Sequence, residues 1–105
     1  MPAPVIFEAY AVLTRLPAPW RLHADVAERL LRDTFAEHAT VVALPGEDGA
    51  WSVVRSLARR GLIGGIVHDA HVAACAQAAG ASALTTLNRC DFARLDFGTM
   101  ALVVP

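Results

Sequence analysis

Residues 69–86, which read DAHVAACAQAAGASALTT, decide the fold class of this chain. The segment predicts an alanine-rich helix from Asp69 to Ala79 that Gly80 ends, because glycine readily adopts the backbone conformation that closes a helix. It then predicts a strand at residues 82–86, where apolar and β-branched side chains follow the turn. A strand that alternates with helices favours parallel pairing, so the segment indicates an α/β fold.

The rest of the chain continues this alternation. Residues 62–67 fit either a short strand or a glycine-rich connection. The first predicted helix is apolar on nearly every side, a pattern typical of a buried helix. We therefore expect one α/β domain over residues 1–105, with a parallel sheet flanked by helices. Further helices are predicted at residues 4–16, 23–37 and 47–60, and further strands at residues 40–44 and 100–104.

Composition limits the classes of function. The 105 residues are 55% hydrophobic, which argues against a disordered chain, and no apolar run of about 18 residues predicts a membrane span. The amino terminus has no basic residue before an apolar stretch, so we expect no secretory signal and a cytoplasmic protein. The net charge of -1 predicts no broad attraction to nucleic acid. Two cysteines without a CxxC spacing predict neither a zinc site nor a disulfide framework.

Three acidic residues lie in apolar surroundings, namely Glu8, Asp69 and Asp91. An unpaired carboxylate in such surroundings costs several kcal/mol, so these groups are usually paired, protonated or bound to a metal. Asp69 and Asp91 each follow an apolar run, and ligands of a parallel sheet bind beyond the carboxyl ends of its strands. We expect Glu8 to complete a cluster at that edge, where oxygen ligands favour Mg²⁺ or Mn²⁺. Such a site suits phosphodiester hydrolysis.

Each of these residues also has a purely structural interpretation. Asp69 can cap its helix, and Asp91 can be an ordinary turn aspartate. Glu8 can form a buried salt bridge to Arg15 or Arg89. The alternatives stay open on the residues alone.

Four segments resemble proteins of the PIN-domain family, of the VapC toxin type. Residues 7–17 resemble the buried acidic helix of that family, residues 61–74 its second acidic segment and residues 84–92 its third. The closing residues 101–105 also fit. The segments follow the family's order through nearly the whole chain.

The resemblance implies an endoribonuclease that depends on Mg²⁺ or Mn²⁺, a toxin neutralised by a VapB-like antitoxin and usually a homodimer. By position, Glu8, Asp69 and Asp91 would be its catalytic, metal-binding acids. Thr85 and Asn88 would support them by hydrogen bonding. The expected RNA contacts are Arg15, Arg21 and Arg89.

The chain departs from the family at its amino terminus. Family members begin with a strand that carries another acidic residue and would lie centrally in the sheet, so the expected fold is an N-terminally truncated PIN-like three-layer sandwich. The main alternative is a catalytically impaired PIN remnant that binds antitoxin or dimerises. A small-molecule-binding α/β protein is disfavoured, because the chain has no GxGxxG phosphate loop.

Overall fold

The computed structural model, which describes residues 1–105, shows a mixed α/β chain that is mostly helical. Helices and a two-stranded parallel sheet confirm the predicted fold class in its coarse form. The three-layer sandwich and the single domain over the whole chain stay predictions. The elements are α1 (Ala3–Arg15), α2 (Ala24–Phe35), α3 (Gly46–Arg59), α4 (Ile66–Ala78), β1 (Ala83–Thr85), α5 (Arg89–Phe92) and β2 (Ala101–Val103).

The four long helices lie where the sequence predicts them, because their ends carry clear signals. Prolines follow α1, and a proline cannot continue a helix. Gly61 follows α3 and Gly80 follows α4, each with a positive φ of 67° and 76°. Residues 62–65 form a connection that turns at Gly64 and Gly65 rather than a strand, and α4 begins at Ile66, three residues before the predicted start.

The sheet pairs β1 with β2 in parallel, with Leu84 opposite Leu102. The strand predicted at residues 40–44 is wrong, since only an isolated parallel bridge joins Val42 to Pro2. Pro2 has no backbone N–H, and its carbonyl already accepts the N–H of Val5 at 3.1 Å. The bridge is formed by the residues on either side of Pro2, since the Ala3 N–H donates to the Val42 carbonyl at 2.7 Å and the Val42 N–H donates to the Met1 carbonyl at 2.9 Å. It extends no further because Ala3 begins α1.

The buried residues gather around α4 in two clusters, which are joined by the partly buried Leu95. Cys75 is fully buried, as expected of a small core residue. The clusters comprise Ala76, Leu84, Phe92 and Met100 on the sheet side, and Leu57, Ile66 and Ala70 on the α3 side.

The expectation of a buried first helix is wrong, because no residue of α1 is buried. The helix contacts α2 and α4, so its remaining surface meets solvent. Phe7 is 71% exposed although most residues of α1 are apolar. No helix of the chain has the length and apolar character that a membrane crossing requires.

Candidate functional site

A groove of about 1190 Å³ lies between the start of the chain, α1, α4 and β1. Nine of its 17 lining residues are hydrophobic, and it contains no Lys or Arg. Its two charged side chains are the predicted acids Glu8 and Asp69. The polar lining residues are Glu8, His68, Asp69, His71, Thr85 and Thr86.

Asp69 lies in the first turn of α4, half-buried at the wall of the groove. Burial raises the pKa of its carboxyl group above the ordinary value, and the negative charge of Asp91 raises this pKa further. His68 acts in the opposite direction. The charge of Asp91 therefore acts on Asp69, although the apolar run before Asp69 is the start of α4 and not the strand that the prediction assumed.

Asp91 is held by Asn88 at the start of α5. The Asn88 Nδ2 donates to Asp91 Oδ2 at 2.8 Å, and the Asp91 N–H donates to Asn88 Oδ1 at 3.4 Å. Asn88 is in turn fixed by its own N–H, which donates to Thr86 Oγ1 at 3.0 Å. Asn88 thus contacts the acid that it was expected to support. Thr85 lines the groove, but its hydroxyl forms no hydrogen bond to either aspartate.

Glu8 lines the groove but is not buried as expected, since its side chain is 71% exposed. Its Oε1 lies 3.4 Å from Arg15 Nη2, so the salt bridge considered from sequence forms with Arg15 and at the surface. A single exposed ion pair contributes little to stability. The pair can therefore separate at little cost if Glu8 meets another cation.

The arginines expected to contact RNA lie outside the groove lining. Arg15 pairs with Glu8, and Arg21 Nε donates to the Leu16 carbonyl at 2.8 Å. Arg89 lines a separate shallow cavity beside Phe97. The groove lining therefore offers no arginine or lysine side chain to a phosphate.

The acids provide the right donor chemistry for Mg²⁺ or Mn²⁺ without a complete set of ligands. No three His, Cys, Asp or Glu side chains are arranged to hold a metal ion. Glu8 and Asp69 share the groove, whereas Asp91 is linked to it through its repulsion with Asp69. The Asp69–Asp91 pair fits a hard divalent cation, which would relieve the repulsion. Glu8 fits only after it leaves Arg15.

Two histidines and one threonine of the site were not expected to take part. His68 and His71 line the groove beside Asp69, and Thr86 orients Asn88. For the two histidines, the available signal was their spacing on α4, because residues three apart share a helix face.

The chain gives no match in comparisons with protein-family models, with curated proteins or with solved structures. Its function is inferred from the groove and from the sequence segments that resemble PIN-domain proteins.

Proposed function

We propose that this chain is a Mg²⁺- or Mn²⁺-dependent endoribonuclease of the VapC toxin type, with a PIN-like fold. The observation that carries the proposal is that Glu8 and Asp69 line one groove, with the negative charge of Asp91 near enough to raise the pKa of Asp69. A carboxylate whose pKa is raised by the negative charge of a second one favours a divalent cation between them. RNA is the proposed substrate, and a VapB-like antitoxin and a second copy of the chain are the proposed partners.

The proposed roles follow from the contacts of each residue. Asp69 and Asp91 would hold the cation, and Asn88 fixes one carboxylate oxygen of Asp91 through its 2.8 Å hydrogen bond. Glu8 would turn from Arg15 toward the groove and add a third oxygen ligand. When bound, the cation supplies positive charge that neutralises the phosphodiester and lowers the pKa of a water molecule. Released by Glu8, Arg15 would be free to contact the RNA backbone.

Metal binding tests the first step of this proposal. Calorimetry with Mn²⁺ should show binding by the wild type, and both Asp69→Asn and Asp91→Asn should weaken it. Asn88→Ala should reduce Mn²⁺ affinity by roughly 10- to 100-fold, the usual effect of removing a group that orients a metal ligand. Asp33→Asn is the matched control, because Asp33 is an exposed carboxylate on α2 with no ion pair. Failure of the folded wild type to bind Mn²⁺ at millimolar concentration would contradict the proposal.

Cleavage of a structured RNA pool tests the second step. The wild type and Asp33→Asn should cleave RNA with Mn²⁺ and stop when EDTA is added. Asp69→Asn should be inactive while retaining the wild-type circular dichroism spectrum. Equal cleavage by Asp69→Asn, or cleavage that persists in EDTA, would exclude the proposed metal chemistry.

The alternative of a catalytically impaired PIN remnant is favoured by a different observation. No three acids or other ligands form a metal-holding group, while Phe7, Trp20 and Trp51 are all largely exposed. Exposed aromatic side chains are frequent in protein interfaces. In that case the protein binds an antitoxin or a second copy without cutting RNA. Light scattering should then show a dimer or an antitoxin complex, together with no metal-dependent cleavage.

A further inference from the structure

A second cavity, of about 400 Å³, lies between α1, α2 and the segment that follows α2. Seven of its nine lining residues are hydrophobic, and its aliphatic walls include Ile6, Leu31 and Val41. The cavity shares only Phe7 with the groove of the acids. It therefore contains none of the three acids that the sequence predicts as metal ligands.

Three aromatic side chains line this cavity without stacking on one another, namely Phe7, Tyr10 and Phe35. The one ring pair of the chain is Phe92 with Phe97, whose centroids lie 6.4 Å apart. Aromatic rings attract further rings in offset or edge-to-face arrangements, and this attraction adds to the effect of apolar burial. The three rings of the cavity leave such arrangements free for a ligand that carries a ring of its own.

The charges of the cavity lining cancel. Glu28 and Arg32 are its two charged residues, and Arg32 Nη2 lies 2.8 Å from Glu28 Oε1, one turn apart on α2. Because the carboxylate repels an anion about as much as the guanidinium attracts it, and the reverse holds for a cation, neither sign of charge is favoured. The apolar walls add a desolvation cost for any charged group that enters. The lining therefore favours an uncharged ligand.

The size of the cavity suits a small molecule better than a polypeptide. Small-molecule sites typically have volumes of about 300–1,000 Å³ and mostly apolar or aromatic linings with a few polar groups. The volume of about 400 Å³ falls within that range. A stable protein interface engages roughly 20–30 residues on each side, whereas nine residues line this cavity. A molecule of one or two fused rings therefore matches the space.

We infer that this cavity binds a small, uncharged aromatic molecule between α1 and α2, with its ring against Phe7, Tyr10 and Phe35. In the free chain α1 has no buried residue, and Phe7 and Tyr10 are 71% and 40% exposed. A ligand that covers these rings removes apolar surface from water, which stabilises the complex. The inference is independent of the nuclease proposal, because it requires neither metal nor RNA.

Titration of the isotope-labelled protein with indole, followed by NMR, tests the inference. Indole should shift the amide signals of Ile6, Leu31 and Phe35, with a dissociation constant on the order of 1 mM or tighter. Indole-3-acetate and tryptamine carry the same ring with a negative or a positive charge, and each should bind roughly two- to fivefold more weakly. Absence of shifts at these residues would overturn the inference, and tighter binding of either charged analogue would overturn the choice of an uncharged ligand.

Phenol and cyclohexanol separate recognition of a ring from simple hydrophobic adhesion, because they have the same number of carbons and the same hydroxyl group. Phenol should bind roughly two- to tenfold more tightly, the usual worth of one favourable ring pair. Equal or tighter binding of cyclohexanol would exclude an aromatic site. Indole affinity that falls as the protein concentration rises would show that a second copy of the chain occupies the cavity, which would overturn the choice of a small ligand.

Variants of the lining locate the ligand. Phe35→Leu and Tyr10→Leu keep an apolar wall but remove a ring, so each should weaken indole binding roughly two- to tenfold with an unchanged circular dichroism spectrum. Tyr10→Phe keeps the ring and should retain the wild-type affinity. Trp51→Leu is the matched control, because Trp51 is 62% exposed and lies outside the cavity lining. Wild-type affinity in both ring-deleted variants would exclude contact of the ligand with these rings.

Charge variants test the neutrality of the lining without changing its apolar walls. Glu28→Gln leaves Arg32 unpaired, so the affinity for indole-3-acetate relative to tryptamine should rise roughly two- to fivefold. Arg32→Gln should shift the same ratio by a similar factor in the opposite direction. Asp33→Asn, on the same helix but outside the lining, should leave the ratio at its wild-type value. An unchanged ratio in both lining variants would show that the ligand lies away from the ion pair and would overturn the site.

Discussion

Leu84 and Leu87 lie three residues apart, and they differ in burial. Truncation to alanine should therefore lower the free energy of unfolding by very different amounts at the two positions. Leu84 on β1 is 9% exposed and contacts Phe92 and Met100 in the core, whereas Leu87 is 86% exposed in the following turn. Truncation of leucine to alanine removes three carbons, each worth about 0.8 kcal/mol when buried. The Leu84 space opens to the groove and leaves little closed cavity, so we expect a loss of about 2–3 kcal/mol, near the low end for such changes.

Urea denaturation of Leu84→Ala and Leu87→Ala gives both free energies of unfolding. Leu84→Ala should lower the midpoint with an unchanged m-value, and the melting temperature should fall by about 8–24 °C for a domain of this size. Leu87→Ala should stay within about 0.5 kcal/mol of the wild type. Similar losses in the two variants would refute the position of β1 against the core, and with it the groove.

Three further predictions concern the acids and their partners. Because burial and the charge of Asp91 raise the pKa of Asp69 in the folded protein, wild-type stability falls as pH rises from the ordinary carboxyl pKa through the folded one. The stability gain of Asp69→Asn over wild type in urea melts should therefore grow over that interval, and Asp33→Asn should lack this trend. Asn88→Ala removes the side chain that caps α5 through a long 3.4 Å bond, so urea melts should show a loss of about 0.5–1 kcal/mol. Arg15→Ala removes only the exposed pair with Glu8, and thermal melts should place it within about 0.5 kcal/mol of the wild type.

The helices could be predicted from sequence because each end is encoded locally. Gly61 and Gly80 adopt the positive φ that closes α3 and α4. The start of α4 was placed too late, because Gly64 and Gly65 suggest a break that in fact extends only to residue 65. Strand formation needs a partner, and for residues 40–44 the only partner is Pro2. A β-branched run alone therefore could not show that no strand forms there.

As with the helix ends, the acidic site was predictable where the signal is local in the sequence. The contact of Asn88 with Asp91 follows from their three-residue spacing at a helix start. The nearness of Asp69 to Asp91 does not follow from parallel strands, because Asp69 follows the start of α4 and not a strand. The prediction that Glu8 is buried was wrong, because the burial of Glu8 depends on which other parts of the protein cover α1. The apolar sequence of α1 indicates that the helix favours burial. It does not show that the chain contains enough other surface to bury the helix.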